Sequence, residues 1–177
     1  PGFLVNRILV PYLLEAGLLF ENGARAADVD EAMLDFGMPM GPLRLIDEVG
    51  VDIAADVAAT LAAKFSDRLR VPEMLAKMVA AGWLGRKSGR GFYIYSGKKK
   101  AVPHAGLNSC CRGHSAATLS RTELQRRLVL LLVNEAARCV EEQIASGPEM
   151  VDFALVMGTG LPPFRGGPLR DADTLGL

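Results

Sequence analysis

The second half of this 177-residue chain repeats the first half in outline, and this internal repeat is the strongest constraint on its fold. The recurring residues of the first copy are Glu15, Ala16, Asp30, Ala32, Pro39, Gly41, Pro42, Leu43, Asp47 and Gly50. They return in the same order as Glu135, Ala136, Asp152, Ala154, Pro162, Gly167, Pro168, Leu169, Asp173 and Gly176. Two copies at a long period are too few for a solenoid. We therefore expect two related units that pack on each other through their apolar faces as one pseudo-symmetric body.

The composition favours helices and a sizeable core. Half of the residues are hydrophobic, 20 Lys and Arg balance 20 Asp and Glu, and aromatic residues make up only 6%. Zero net charge argues against a nucleic-acid-binding protein, which needs a basic face that displaces counterions from phosphates. The three consecutive lysines at 98–100 are too local to change that conclusion. The sequence predicts an all-α fold.

Signals for membrane insertion and secretion are not evident in the sequence. The longest apolar run, 128–133, is far short of the roughly 20 residues that cross a bilayer. Three cysteines, two of them adjacent, do not make a secreted disulfide framework. We expect a protein without a membrane span that is not secreted and that is cytosolic or organellar with reduced thiols. The first residue is not Met, and we expect a fragment of a longer protein.

Turn residues and capping patterns divide the first unit, 1–95, into about five helices. The apolar stretch 4–20 predicts a long and largely buried helix. Asp28 followed by Glu31 is the pattern of a capping box, and Gly37 ends the short helix that it opens. The remaining predicted elements are a helix from Pro42 to Val49, a helix through Phe65 with Asp52 as its N-terminal cap, a helix from Pro72 to Gly82, and an extended tail over 92–95.

A linker and a second, truncated unit follow. Residues 96–119 lose periodicity and are rich in Gly, Ser, Lys and Ala, which predicts a linker that runs over the surface. In the second unit, 120–177, Ser120 and Glu123 form a capping box for a long helix that runs through Ile144. The remaining predicted elements are a short helix that opens at Pro148 and is ended by Gly158 and Gly160, a fixed turn over 161–168, and a helix cut short by the end of the chain.

Three motifs in the first unit resemble a known family. They are PGFLVNR at 1–7, PMGP at 39–42 with Asp47, Gly50 and Asp52 behind it, and GRKSGRGFY at 85–93. In this order they resemble the C-terminal domain of 3-hydroxyacyl-CoA dehydrogenases. In the second unit, NEAARC at 134–139 and GLPPFRGGP at 160–168 resemble the second copy of that domain in the multifunctional α-subunits of fatty-acid β-oxidation. Single-function members have one copy, so the duplication favours the multifunctional branch.

The resemblance implies NAD-dependent oxidation of an L-3-hydroxyacyl-CoA to the 3-ketoacyl-CoA. In the family, the catalytic His/Glu pair and the dinucleotide loop lie in an N-terminal Rossmann domain. No strand followed by Gly-x-Gly-x-x-Gly is evident in this sequence. NAD is therefore expected on that missing domain, and the chain alone is expected to be inactive. The resemblance also implies an acyl-CoA substrate, with an enoyl-CoA hydratase domain and thiolase subunits as further partners.

Asn6 is the one catalytic residue that the resemblance carries over, because it matches the Asn in the family's Val-Asn-Arg. A neutral amide donates to the substrate oxygen as it becomes carbonyl-like and accepts from the catalytic His, with no charge to bury. The alternative is an Asn that satisfies free backbone N–H groups near a helix N-terminus. The next residue, Arg7, either binds the substrate through a CoA phosphate or pairs with an acidic neighbour.

Other candidate sites have an alternative that we favour. The basic, Gly-rich segment 85–91 either cradles phosphate with backbone N–H groups or is a solvated loop that leads to the aromatic tail, and we favour the loop. Residue types that zinc prefers occur together in the linker, as His104, Cys110, Cys111 and His114. Adjacent cysteines suit a single metal poorly, so no metal site is predicted there and exposed thiols are expected. Cys139 is expected to be a small core residue.

A different class of function stays open, in which the chain is a helical interaction module that kept the fold and lost the chemistry. Retention of Asn6 favours the enzyme, because a scaffold has no use for it. In single-function relatives this domain dimerises about a two-fold axis. We expect the tandem copy to replace that partner subunit, which gives a monomer whose two units pack face to face.

Overall fold

The computed structural model describes residues 3–65, 68–97, 101–110 and 119–177, which contain eight α-helices and one two-stranded ribbon. The predicted all-α class is confirmed. The helices of the first unit are α1 (Phe3–Glu21), α2 (Ala26–Phe36), α3 (Pro42–Val49), α4 (Val51–Lys64) and α5 (Glu73–Ala80). Those of the second unit are α6 (Arg121–Glu141), α7 (Pro148–Thr159) and α8 (Pro168–Leu175). Short 3-10 turns lie at Arg86–Ser88, Ala105–Cys110 and Pro163–Arg165.

Several helix ends lie where local sequence placed them. The Ser120 hydroxyl accepts from the Glu123 N–H at 3.3 Å, and the Glu123 carboxylate accepts from the Ser120 N–H at 2.7 Å, so the predicted capping box of α6 is confirmed. Gly37 ends α2 with a φ of 112°, a left-handed conformation that favours glycine. Pro42 opens α3 in the first turn, where its missing N–H costs no hydrogen bond.

Two predicted N-terminal caps are wrong. Asp28 and Glu31 make no capping box, because α2 has already begun before Asp28 and both Asp28 oxygens accept from Arg25 at 2.7 Å. Asp52 likewise lies inside the first turn of α4, where its carboxylate accepts from Lys87 at 2.7 Å. In both cases a basic side chain binds the carboxylate that the pattern assigned to free backbone N–H groups.

The helices of the second unit end at slightly different positions from those predicted. Helix α6 stops at Glu141 rather than Ile144. Helix α7 includes Gly158 and ends at Thr159, and Gly160 caps it with a φ of 72°. Helix α8 has eight residues, like α3. The helix predicted to be cut short is therefore a full counterpart of α3, and α8 is the last helix described.

The segment predicted as a surface linker, 96–119, is packed in part. Val102–Pro103 forms strand β2, which pairs antiparallel with β1 (Tyr93–Ile94). Leu107 has no exposed surface and belongs to the main hydrophobic core. The surface prediction was wrong for the buried Leu107, and it missed the exposed strand β2, because a two-residue strand and a single apolar anchor leave no periodicity to detect.

The two units pack on each other with α1 against α6 and α7, and α2 against α6. The contact is reciprocal where α2 and α7 end. A Cβ atom at Gly37 would lie 2.9 Å from the Pro162 side chain, and one at Gly160 would lie 2.9 Å from the Pro39 side chain. Gly37 and Gly160 cap the ends of the equivalent helices α2 and α7, and Pro39 and Pro162 are equivalent residues of the repeat. Each unit therefore makes the same contact on the other, as in an isologous interface. The predicted face-to-face packing of the units is confirmed.

Helix α1 is the central helix of the molecule. Ile8 and Tyr12 have no exposed surface. Among the described helices, α1 alone has the length and composition to cross a membrane, and 61% of that stretch is buried inside the protein. Burial against α6 and α7 is the behaviour of a core helix in a globular fold.

Candidate functional site

An apolar groove opens on the first unit where α1, α3, α4 and α5 meet, and we call it the Asn6 groove. Its volume is about 180 Å³. Its aliphatic lining consists of Leu9, Val10, Leu13, Leu14, Ile46, Val49, Ile53, Ala54, Val57 and Leu75. Val49 and Ile53 are 47% and 48% exposed, so the groove is open to solvent on that side. Asn6 is its one polar lining residue.

Asn6 lies inside α1 at one end of the groove, and it is exposed. The helical period places Leu9, Val10 and Leu13 on the same face, so the amide continues an apolar stripe. Among the described ranges, no hydrogen bond joins the Asn6 side chain to another residue. Its position within α1, which begins at Phe3, argues against the capping alternative. The amide is available to a ligand in the groove.

Arg7 lies on another face of α1 and joins the two units. It is 7% exposed, pairs with Glu142 at the end of α6, and lies with its guanidinium 4.7 Å from the centre of the Phe65 ring. Arg68 pairs with the same Glu142 at 3.0 Å and also stacks on Phe65 at 4.7 Å. These contacts support the ion-pair alternative for Arg7. Cys139 has no exposed surface, as expected of a core residue, and burial raises the pKa of its thiol.

Asp30 holds the N-terminus of α3, which forms one wall of the groove. Its carboxylate accepts from the N–H of Leu43 at 2.8 Å, the N–H of Arg44 at 3.1 Å and the hydroxyl of Tyr93 at 2.6 Å. Burial raises the pKa of Asp30 to about 6, although these three donors act in the opposite direction. A Cβ atom at Gly41 would overlap the Asp30 side chain, so the turn before α3 needs glycine there.

Asp47 holds α3 against the aromatic tail. It is 1% exposed, and its carboxylate accepts from the N–H groups of Phe92 and Tyr93, both at 2.9 Å, and from the hydroxyl of Tyr95 at 2.8 Å. Burial raises the pKa of this carboxyl as well. The extended tail predicted over 92–95 therefore packs back on the bundle, and Asp47 holds it by three hydrogen bonds.

The basic, Gly-rich segment 85–91 is a tight turn around Asp47. Gly85 has a φ of 87°, and a Cβ atom at either Gly85 or Gly91 would overlap Asp47. Two of its cations form ion pairs with carboxylates of α3 and α4, Arg86 with Glu48 at 2.8 Å and Lys87 with Asp52. These contacts support the structural loop over the phosphate cradle.

The roles of Asp30 and Asp47 were missed by sequence reasoning. Both residues stood in the repeat, yet neither was given a function. The available signal was an Asp that precedes a Gly-Pro helix start in both copies, as Asp30 does Gly41 and Asp152 does Gly167. Reading that signal as a contact required knowing that α2 and α3 are adjacent in space.

Of the linker cluster, His104 lies against Gly91 and Trp83 and does not line the Asn6 groove. His104 Nδ1 lies 3.0 Å from the Gly91 carbonyl oxygen, and its ring meets the Trp83 ring edge-on at 4.7 Å. Within the part of the chain that the structure describes, no group of three or more His, Cys, Asp or Glu is placed to hold a metal ion. Cys111 and His114 lie outside the described residues, so their part in a zinc site stays untested.

The described residues do not fit a dinucleotide cofactor. A Rossmann crevice is formed where parallel strands end at a Gly-rich loop and a helix N-terminus. In the described ranges the named strands form one antiparallel ribbon, and the Gly-rich segment 85–91 encloses Asp47 instead of a ligand.

The fold and the groove define a helical domain in which one exposed amide lies at the end of an apolar groove. Residues 2–95 match the family model of the 3-hydroxyacyl-CoA dehydrogenase C-terminal domain. The chain belongs to this family. The resemblance drawn from the three motifs is confirmed.

Curated relatives extend the likeness through the second unit. The chain is 40% identical over 176 residues to the fatty acid oxidation complex subunit alpha of Shewanella halifaxensis. It is 41% identical over 176 residues to the protein of the same name from Vibrio vulnificus. Each match covers 99% of this chain and 25% of the relative. The chain therefore spans about a quarter of the length of these relatives.

Solved structures share the fold. The chain is similar to the 3-hydroxybutyryl-CoA dehydrogenase of Escherichia coli, with a TM-score of 0.80 over 99% of this chain and 53% of that one. At 22% identity this is a likeness of fold alone. The (S)-3-hydroxybutyryl-CoA dehydrogenase of Ralstonia eutropha is 45% identical, with a TM-score of 0.52 over 55% of this chain and 35% of that one.

Proposed function

We propose that this chain is the substrate-side, C-terminal part of an NAD-dependent L-3-hydroxyacyl-CoA dehydrogenase in a multifunctional α-subunit of fatty-acid oxidation. The observation that carries the proposal is the free amide of Asn6 at one end of an apolar groove, in a chain of this family. The hydride acceptor and the His/Glu pair that removes the hydroxyl proton belong to a Rossmann domain outside these residues.

The groove provides both contacts that a 3-hydroxyacyl group needs beside the reacting carbon. Its aliphatic lining removes an acyl chain from water, and apolar burial of this kind supplies most of the binding free energy of such ligands. The Asn6 N–H₂ group donates to the oxygen on C3 as that oxygen becomes a ketone. Because the amide is neutral, its own oxygen can also accept from an imidazolium without a burial penalty for charge.

The wider assignments rest on the relatives. Their matched region is a quarter of their length, and their printed name places them in a complex, which supports further domains and subunits in the whole protein. We extend the proposal to an enoyl-CoA hydratase domain in the same chain and to thiolase subunits as partners. A location in a bacterial cytoplasm, or in a mitochondrial or peroxisomal matrix, belongs to the same proposal.

The proposal is tested by NAD reduction with the full-length product of the gene and with the isolated 177-residue chain. The substrates are L-3-hydroxybutyryl-CoA and L-3-hydroxydecanoyl-CoA. We expect the full-length protein to reduce NAD with both and the isolated chain with neither. A correctly folded full-length protein without this activity would favour the helical interaction module instead.

A further inference from the structure

One wall of the Asn6 groove is held by two carboxylates that do not line it. Ile46 and Val49, which line the groove, are side chains of α3. Asp30 accepts from two backbone N–H groups at the N-terminus of this helix. Asp47 is a residue of α3, and its carboxylate accepts from two backbone N–H groups of the aromatic tail. The place of the groove wall is therefore fixed from outside the groove.

We propose that Asp30 and Asp47 are positioning residues that set the separation of α3 from α1, and thereby the acyl chain length that the groove accepts. This inference rests on the proposed function, because it concerns the same groove and the same substrate class. Neither carboxylate touches the acyl group, so both act through Ile46 and Val49.

Tyr93 connects the two carboxylates. Its hydroxyl donates to Asp30 at 2.6 Å, and its backbone N–H donates to Asp47 at 2.9 Å. Tyr93 is 8% exposed, so both hydrogen bonds lie in surroundings where water does not compete for them. Helix α2, helix α3 and the aromatic tail are consequently joined through one side chain, and α3 has little freedom to move relative to them.

A comparison of α3 with its counterpart α8 in the second unit shows which of these contacts a helix at this position needs in order to form. Asp152 holds α8 through the N–H groups of Leu169 and Arg170 at 2.8 and 3.1 Å, the same distances as in the first unit. Its partner position, Asp173, is exposed, and none of the three tyrosines of the chain donates to Asp152.

Helix α8 is also held by an ion pair between its own Asp171 and Arg165 at 3.1 Å, so a helix of this kind forms without support from an aromatic tail. The second support, made by Asp47 and by the hydroxyl of Tyr93, is found on α3, the helix that lines the groove, and has no described counterpart on α8. Additional support at a helix that already folds is best explained by a requirement on its position. A shift of α3 would change the groove width beside Val49 while leaving Asn6, on α1, in place.

The repeat provides a matched control for the test. Asp30→Asn and Asp152→Asn remove the same charge from the same two-point cap, but only the first acts on a groove wall. Tyr93→Phe removes one hydroxyl and leaves both caps intact. If Asp30→Asn fails to fold, this variant still tests whether the support of α3 sets the chain-length preference. Each variant is made in the full-length protein, and KM and kcat are measured with L-3-hydroxybutyryl-CoA and L-3-hydroxydecanoyl-CoA, together with the melting temperature.

We expect Asp30→Asn and Tyr93→Phe to raise the ratio of the long-chain KM to the short-chain KM about fivefold, below the full effect of a missing methylene in a fitted apolar pocket. Short-chain kcat should stay within about twofold, because an interaction that serves binding alone leaves the chemical step unchanged. Asp152→Asn should lower the melting temperature and leave the ratio unchanged.

Three results would overturn the inference. An unchanged ratio in both first-unit variants, with an active wild type, removes the positioning role and leaves the proposed function standing. An equal change of the KM ratio in Asp30→Asn and Asp152→Asn would show that both residues act only through overall stability, and it also contradicts the inference. A folded wild type that oxidises neither substrate contradicts the proposed function itself, and the inference fails with it.

Discussion

Asp30 and Asp152 bind the N-termini of α3 and α8 with the same geometry, each accepting two consecutive backbone N–H groups at 2.8 and 3.1 Å. Each carboxylate lies against a glycine, Gly41 or Gly167, where a Cβ atom would overlap it. The sequence repeat therefore reflects one interaction that occurs in both units, an Asp carboxylate that caps the helix after the turn. The Asp, the Gly and the proline that opens the helix form one capping motif, which occurs once in each unit.

The first prediction concerns the glycine of this capping motif. Gly41→Ala should lower the free energy of unfolding by about 2 kcal/mol, because the new methyl group meets the buried Asp30 side chain and the cap must shift. Urea unfolding of the 177-residue chain measures the change. Gly82→Ala is the control, since a Cβ there meets nothing within 4 Å and its φ of 72° alone costs about 1 kcal/mol. Because Gly41 has a φ of −70°, which alanine adopts without strain, an unchanged free energy of unfolding in Gly41→Ala would show that the overlap is relieved without cost.

The second prediction concerns pH. Burial raises the pKa of Asp30 from 3.8 to about 6, so the folded state holds this proton more tightly than the unfolded state. The resulting stabilisation is complete below the unfolded pKa and is lost as pH rises through the folded pKa. Between pH 4 and 7, the wild type should lose up to about 3 kcal/mol relative to Asp30→Asn. Unfolding curves at each pH measure this difference, and a constant difference would contradict the raised pKa.

The third prediction separates the two interpretations of Arg7. If its role is the ion pair with Glu142, then Arg7→Met and Glu142→Gln should each destabilise the chain, and the double variant should lose less than the sum. Neither single variant should change KM for the acyl-CoA in the full-length protein. An increase in KM for Arg7→Met alone would assign Arg7 to substrate binding.

The fourth prediction is a monomer in solution. Helix α1 packs against α6 and α7 of the same chain, in the place that we expect a partner subunit to take in single-copy relatives. Light scattering coupled to size exclusion should give a mass near 18.9 kDa for the 177-residue chain. A stable dimer that persists on dilution would show that the second unit does not replace a partner.

Local signals predicted much of the fold. The bounds of α3 were predicted to the residue from Pro42 and Gly50, and the Ser120 box of α6 was found because both of its partners are close in sequence. The cap predicted at Asp28 was wrong because Arg25 binds the same carboxylate, a competition that the pattern does not contain.

Long-range contacts are what the sequence could not provide. Asp47 meets its N–H donors 45 and 46 positions along the chain, and Leu107 reaches the core from a segment without periodicity. At the candidate site, the family motif identified Asn6, but the groove that surrounds it draws its lining from α1, α3, α4 and α5. Which apolar residues face that amide depends on how these helices cross.

The most direct measurement of the proposed role of Asn6 compares Asn6→Ala with Asn134→Ala in the full-length protein. Both residues are exposed on long helices, α1 and α6, so truncation of either should cost similar stability. With L-3-hydroxybutyryl-CoA, Asn6→Ala should lower kcat by about 10²-fold, as expected for loss of a donor to the developing carbonyl oxygen. Asn134→Ala should retain wild-type turnover. Full turnover in a folded Asn6→Ala protein would contradict the catalytic role of this amide.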